Sequence, residues 1–135
     1  MSKYTDEAER LFQIQSPHYN CAQRVLCAFA EDAGISQDLA CRIGANFGGG
    51  MKCGSVCGAV TGGLMVLGLF GIDDPKSVQE FLSAFRGNHD GMFECQPLLQ
   101  ANAKTGLPRA QHCQGLVLES IGLLENMLRE AGKIA

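Results

Sequence analysis

The chain has 135 residues, of which 46% are hydrophobic and 19% charged, with a net charge of −3. This is enough chain for one domain with an ordinary core, so residues 1–135 read as a single unit. No basic cluster marks a nucleic-acid surface, tryptophan is absent, and aromatics make up only 7%, which also excludes base stacking on an aromatic platform.

Apolar residues recur at helical spacing nearly throughout, and no segment alternates with period two. The expected fold is therefore all-α, a bundle of about six or seven helices around a glycine-rich central one. Thr5 is the expected cap of a first helix carrying Ala8, Leu11, Phe12 and Ile14, which Pro17 ends. Asn20 opens a second, with Gln23 three residues on in capping-box register and Ala22, Val25, Leu26, Phe29 and Ala33 on its apolar face. Gly34 stops it, and Ser36 caps a short third helix with Leu39, Ile43 and Phe47 as apolar positions.

The loop Gly48-Gly49-Gly50 leads into the central helix, expected from Ser55 to Leu69. Gly54, Gly58 and Gly62 share one stripe of it, where small side chains admit a second backbone. Each glycine costs about 1 kcal/mol of helix propensity relative to alanine, so packing or function must compensate. Asp74 caps and Pro75 opens a further helix to about Arg86. Gly87 to Gly91 is a loop, Pro97 lies early in a short helix ending near Gly106, and Pro108 opens the last long helix. Its inward stripe is Cys113, Val117, Ile121, Leu124 and Leu128.

The uncharged run from Gly54 to Ile72 has roughly the length of a membrane span. Its glycines, Ser55 and Thr61, and the lack of flanking aromatic anchors, point instead to a helix buried in a bundle. No membrane span is expected. Seven cysteines, an odd number, argue against a framework of paired disulfides, and the polar, acidic N-terminus lacks a signal-peptide pattern. The expected compartment is the reducing cytoplasm, where cysteines are more often catalytic or metal-binding than structural.

Four cysteines fall at or near expected helix starts. Cys21 follows its cap Asn20, Cys57 lies in the first turn after Ser55, Cys95 precedes the turn containing Pro97, and Cys113 neighbours His112 one turn after Arg109. Unpaired N–H groups at a helix start favour a thiolate, which is the nucleophile and the metal ligand. If these starts converge, the four sulfurs share an electropositive pocket to which Arg109, Lys52 and His112 add charge. Cys57 is expected to be the most activated of them. Cys53, four residues before Cys57, is a supporting candidate as a resolving thiol, and His112 as a base. Any one of these cysteines alone would read as a small buried hydrophobe, and Cys27 and Cys41, mid-helix, are assigned no chemistry. His18 and His89 read as loop residues. There is no CxxC, CxxCH, GxxxxGK[ST] or GxGxxG.

Taken in order, Asn20-Cys21-Ala22-Gln23, Phe47-Gly48-Gly49-Gly50-Met51, Cys57-Gly58-Ala59-Val60-Thr61-Gly62, Cys95 and His112-Cys113 resemble the C_GCAxxG_C_C family of redox-active proteins. The resemblance covers about residues 8 to 130 and places the four family cysteines at Cys21, Cys57, Cys95 and Cys113. It implies a redox class without a substrate or reaction. This chain has Pro17-His18-Tyr19 where the family pattern places a glycine and an aromatic before the first cysteine.

Three functions follow as expectations. The first is a thiol–disulfide redox protein needing no cofactor, which exchanges with a redox partner or a small-molecule oxidant through Cys57 and one of Cys21, Cys95 and Cys113. Four cysteines leave three connectivities open. The second is a four-thiolate site for an iron–sulfur cluster or zinc at Cys21, Cys57, Cys95 and Cys113. The third is a non-catalytic helical interaction domain, a homodimer through its glycine stripe.

Overall fold

Local capping chemistry sets most helix boundaries. In a computed structural model describing residues 2–135, seven α-helices follow one another: α1 (Lys3–Gln13), α2 (Cys21–Ala33), α3 (Gln37–Gly44), α4 (Gly58–Leu69), α5 (Pro75–Gly87), α6 (Cys95–Ala103) and α7 (Arg109–Glu130). The all-α expectation holds among the described residues. Ser2, not Thr5, caps α1: its hydroxyl accepts from Thr5 N at 3.2 Å while Thr5 Oγ1 accepts from Ser2 N at 2.9 Å. Thr5 is the third helical residue of a reciprocal box, which satisfies two orphan N–H groups at once. Asn20 and Gln23 form the expected box at α2, Gly34 ends α2 in the left-handed conformation at φ 80°, and Ser36 and Asp74 cap α3 and α5.

Leu39 and Ile43 do not face the core; they are 45% and 41% exposed. Instead α3 lies against α2 through Ala40 and Gly44, where a Cβ on Gly44 would come within 3.2 Å of Gln23 N. Close approach selects the small residues.

The central helix begins at Gly58 rather than Ser55, because the segment before it is extended. Cys57 N donates to Phe93 O at 2.8 Å and Cys95 N to Ser55 O at 2.6 Å, around an antiparallel bridge between Val56 and Glu94. The 12 residues of α4 span about 18 Å, against roughly 30 Å of bilayer hydrocarbon. No helix among the described residues is long and apolar enough to cross a membrane.

Being largely apolar, α4 is buried over most of its surface, with Gly68 exposed near its end. A Cβ on Gly62 would meet Ala22 O at 3.0 Å, and one on Gly63 would meet Ser120 Oγ at 3.0 Å and the Phe81 ring. Ser120 Oγ donates to Ala59 O at 2.8 Å, tying α7 to α4 inside the core. Gly58 and Gly62 of the glycine stripe thus lie against α2 within the chain, and Gly54 stands outside the helix altogether. Phe29, Leu67, Phe81, Phe85, Val117, Ile121, Leu124 and Leu128 are fully buried, each burial stabilising by about 1.5–3 kcal/mol.

Candidate functional site

Cys21 is the first residue of α2. The Asn20 amide nitrogen donates to the carbonyls of Gly44 at 3.1 Å and Ala45 at 3.3 Å, anchoring this helix start to the end of α3. Cys57 is the capping residue of α4, and Cys95 is the first residue of α6; in the short bridge Cys57 lies opposite Phe93 and Cys95 opposite Ser55. Cys113 follows one turn into α7. The glycines of the central motif make room for these sulfur-bearing backbones. A Cβ on Gly58 would fall 3.1 Å from Cys21 Cβ, one on Gly50 would fall 2.7 Å from Cys95 Cβ, and one on Gly48 would fall 2.5 Å from Asn20 Cβ.

The loop reaches that arrangement through a left-handed turn, with φ of 62° at Gly49, 63° at Gly50, 59° at Met51 and 59° at Lys52. For Met51 and Lys52 this costs about 1–2 kcal/mol each. Ser55 N donating to Gly50 O at 2.9 Å, with the bridge beyond it, holds the turn closed.

Four helices and the extended segment end around a cavity of about 450 Å³. Cys21, Cys57, Cys95 and Cys113 all line it, with Arg24, Arg109, His18, His112, Gly49, Phe12, Leu98, Leu99 and Leu116. Sulfurs from four separate elements therefore line one largely apolar cavity. Cys53 does not join them: it is exposed, its thiol donating to Gly50 O at 3.5 Å. Cys53 and Cys57 are not on one helix, so the four-residue spacing carries no proximity. Lys52 also turns away, its Nζ donating to Asn46 Oδ1 at 3.0 Å.

The cation bonded to Cys21 is Arg24, which carries no expectation from the sequence. Its guanidinium donates to Cys21 Sγ at 3.5 Å and lies over the Phe12 ring at 5.1 Å, and the residue is only 4% exposed. Arg24 Nε has no partner. The signal was available in the three-residue spacing from Cys21, which puts both on one helix face.

Electrostatics separate the four thiols. Cys21 is lowered to about 6, first by the Cys113 thiol placed to donate to it, then by the Arg24 charge and hydrogen bond, against the opposing effect of burial. Cys57 is pushed up to about 12, mainly by burial and then by Cys21 and Cys95, although the Ala59 and Val60 N–H groups pull the other way. The expectation that Cys57 is the most activated is reversed, because desolvation outweighs its helix start. Cys113 is raised through its role as donor to Cys21 and by burial, and Cys95 is raised by burial and Cys21 with Arg109 opposing.

His112 is lowered by burial and by His89, which favours the neutral ring, and its Nε2 is buried without a partner. His89 is no free loop residue: its Nε2 lies 2.8 Å from Glu119 Oε1 and its ring packs on Phe85. The cavity thus brings together the lowered Cys21 thiol, the Cys113 thiol and the buried Arg24 guanidinium. Among the described residues, no three His, Cys, Asp or Glu side chains are grouped to hold a metal ion.

The model of one protein family, described as "Putative redox-active protein (C_GCAxxG_C_C)", matches residues 19–127. Neither a curated protein nor a solved structure matches the chain significantly.

Proposed function

The chain belongs to the C_GCAxxG_C_C family, and from that membership we propose a thiol–disulfide redox protein in which Cys21 is the nucleophile and Cys113 the resolving thiol. The observation that carries this reading is the cavity itself. It gathers all four family cysteines and lowers only one of them, the one bonded to Arg24 and faced by a second thiol.

The Cys21 thiolate attacks one sulfur of a disulfide, a protein–substrate S–S bond forms and the first substrate thiolate leaves, taking up a proton. Cys113 then gives up its proton and attacks Cys21 Sγ, expelling the second substrate thiolate. One external disulfide is reduced to two thiols, and one internal disulfide is formed. Cys57 and Cys95, which both line the cavity, are the remaining pair in this connectivity. A cavity of about 450 Å³ suits a small molecule. The unpartnered Arg24 Nε and His112 Nε2, with Arg109 on the wall, favour a substrate carrying an anionic group. A reducing compartment such as the cytoplasm returns the pair to the dithiol.

The test uses protein prepared without oxygen, treated with oxidised glutathione, quenched in acid and mapped by mass spectrometry. The expected product has lost two hydrogens and carries a Cys21–Cys113 link. Cys113→Ser stops at a mixed disulfide on Cys21. Reaction of the cavity thiols at an unchanged rate in Cys21→Ser would overturn the proposal.

A further inference from the structure

A second pair of sulfurs meets outside the cavity. Cys27 Sγ on α2 and Cys41 Sγ on α3 are 3.2 Å apart, and Cys27 Sγ is also 3.9 Å from Gln37 O. The contact is built by the backbone around it. Gln23 Nε2 donates to the carbonyl of Cys41 itself at 2.9 Å, the Gly34 turn holds the two helices in register, and Gly44 lets them approach. Neither sulfur lines the family cavity. Cys27 is buried at 4% and opens on a separate cavity of about 450 Å³ between α1 and α2, while Cys41 is partly exposed.

We propose that Cys27 and Cys41 form a second dithiol site, which closes to an intramolecular disulfide by exchange with a low-molecular-weight disulfide, independently of the family cysteines. Forming the disulfide closes the gap from 3.2 Å to the bonded separation of about 2 Å. Cys41, the more accessible sulfur, attacks the external disulfide as its thiolate. A mixed disulfide forms on Cys41 and one small thiolate leaves, taking a proton. Cys27 then loses its proton, attacks Cys41 Sγ and releases the second small thiol. Two protein thiols are oxidised to one S–S bond, and one external disulfide is reduced to two thiols. Burial and the neighbouring Cys41 push the Cys27 thiol up, in keeping with the resolving part. The product staples α3 to α2, the helix that carries Cys21 and Arg24.

The experiment treats the full chain with excess oxidised glutathione under native conditions, quenches in acid and maps peptides without reduction. Exposed Cys53 reports that the reagent has acted. The expected result is a Cys27–Cys41 linked peptide in the unaltered protein and in Cys21→Ser alike, with arrest at a Cys41 mixed disulfide in Cys27→Ser. Cys27 and Cys41 remaining free while Cys53 is fully modified would overturn the proposal. A link that disappears in Cys21→Ser would overturn its independence. The Cys21–Cys113 link is scored on different peptides, so the failure of one site is separable from the failure of the other. If Cys27→Ser does not fold, the unaltered chain and Cys21→Ser still decide.

Discussion

Replacing Arg24 by methionine keeps an unbranched apolar stem against the Phe12 ring and removes the guanidinium that donates to Cys21 Sγ at 3.5 Å. The lowering of Cys21 favours its thiolate near neutral pH. The Cys113 thiol, the larger influence, stays in place in this variant. A hydrogen bond to a charged group is worth about 1.5–3 kcal/mol, which is about one to two pKa units at 1.36 kcal/mol each. The Cys21 midpoint should therefore move up by about one to two units. The assay is the rate of iodoacetamide labelling of the Cys21 peptide as a function of pH, with the exposed Cys53 peptide as reference. The midpoint of that curve is the quantity to read, because a thiolate of higher pKa is also intrinsically more nucleophilic and masks the change at any single pH. A midpoint unmoved in Arg24→Met would refute the role given to the guanidinium. A wild-type midpoint near the ordinary thiol value of 9.0 would refute the electrostatic account of the whole cavity.

The same lowered value has a consequence for stability. Between about 6 and 9.0 the native state binds fewer protons than the unfolded chain, so stability rises with pH by up to about 1.4 kcal/mol per unit and is lost as pH falls through the lower value. Urea midpoints across that window should show the slope, and Cys21→Ser should flatten it. Gly58→Ala puts a Cβ 2.9 Å from Phe47 O, 3.0 Å from Ala22 N and 3.1 Å from Cys21 Cβ. Two of those atoms are backbone and cannot rotate away, so a loss of about 1–3 kcal/mol is expected in denaturant unfolding. Unchanged stability would mean that α2 and α4 are packed less closely than described. Met51→Gly removes the strain of a non-glycine at φ 59° and, after the extra entropy of the unfolded chain, should stabilise by up to about 1 kcal/mol in thermal unfolding.

The sequence by itself determined the features that act within one helical turn. The Asn20–Gln23 box, the Ser36 and Asp74 caps, the Gly34 stop and the inward stripe of α7 are signals of this kind, and the structure keeps each of them. The placing of Cys21 at a helix start was legible for the same reason, through the Asn20–Gln23 box. Tertiary structure alone decided which faces meet. The pairing of Ser55–Cys57 with Phe93–Cys95 joins segments far apart in the chain, and it moved the start of α4 to Gly58. Leu39 and Ile43 stayed outside because Gly44 and Ala40 let α3 lie closer to α2. Arg24 rather than Lys52 became the cation of the cavity, and Cys41 rather than Cys53 acquired a sulfur neighbour, through the packing of whole helices. Caps and periodicity are backbone hydrogen-bond effects between residues three or four apart. Desolvation, which set Cys57 high and left Cys21 as the thiolate, depends on every element that excludes water from the cavity, and no local spacing encodes it.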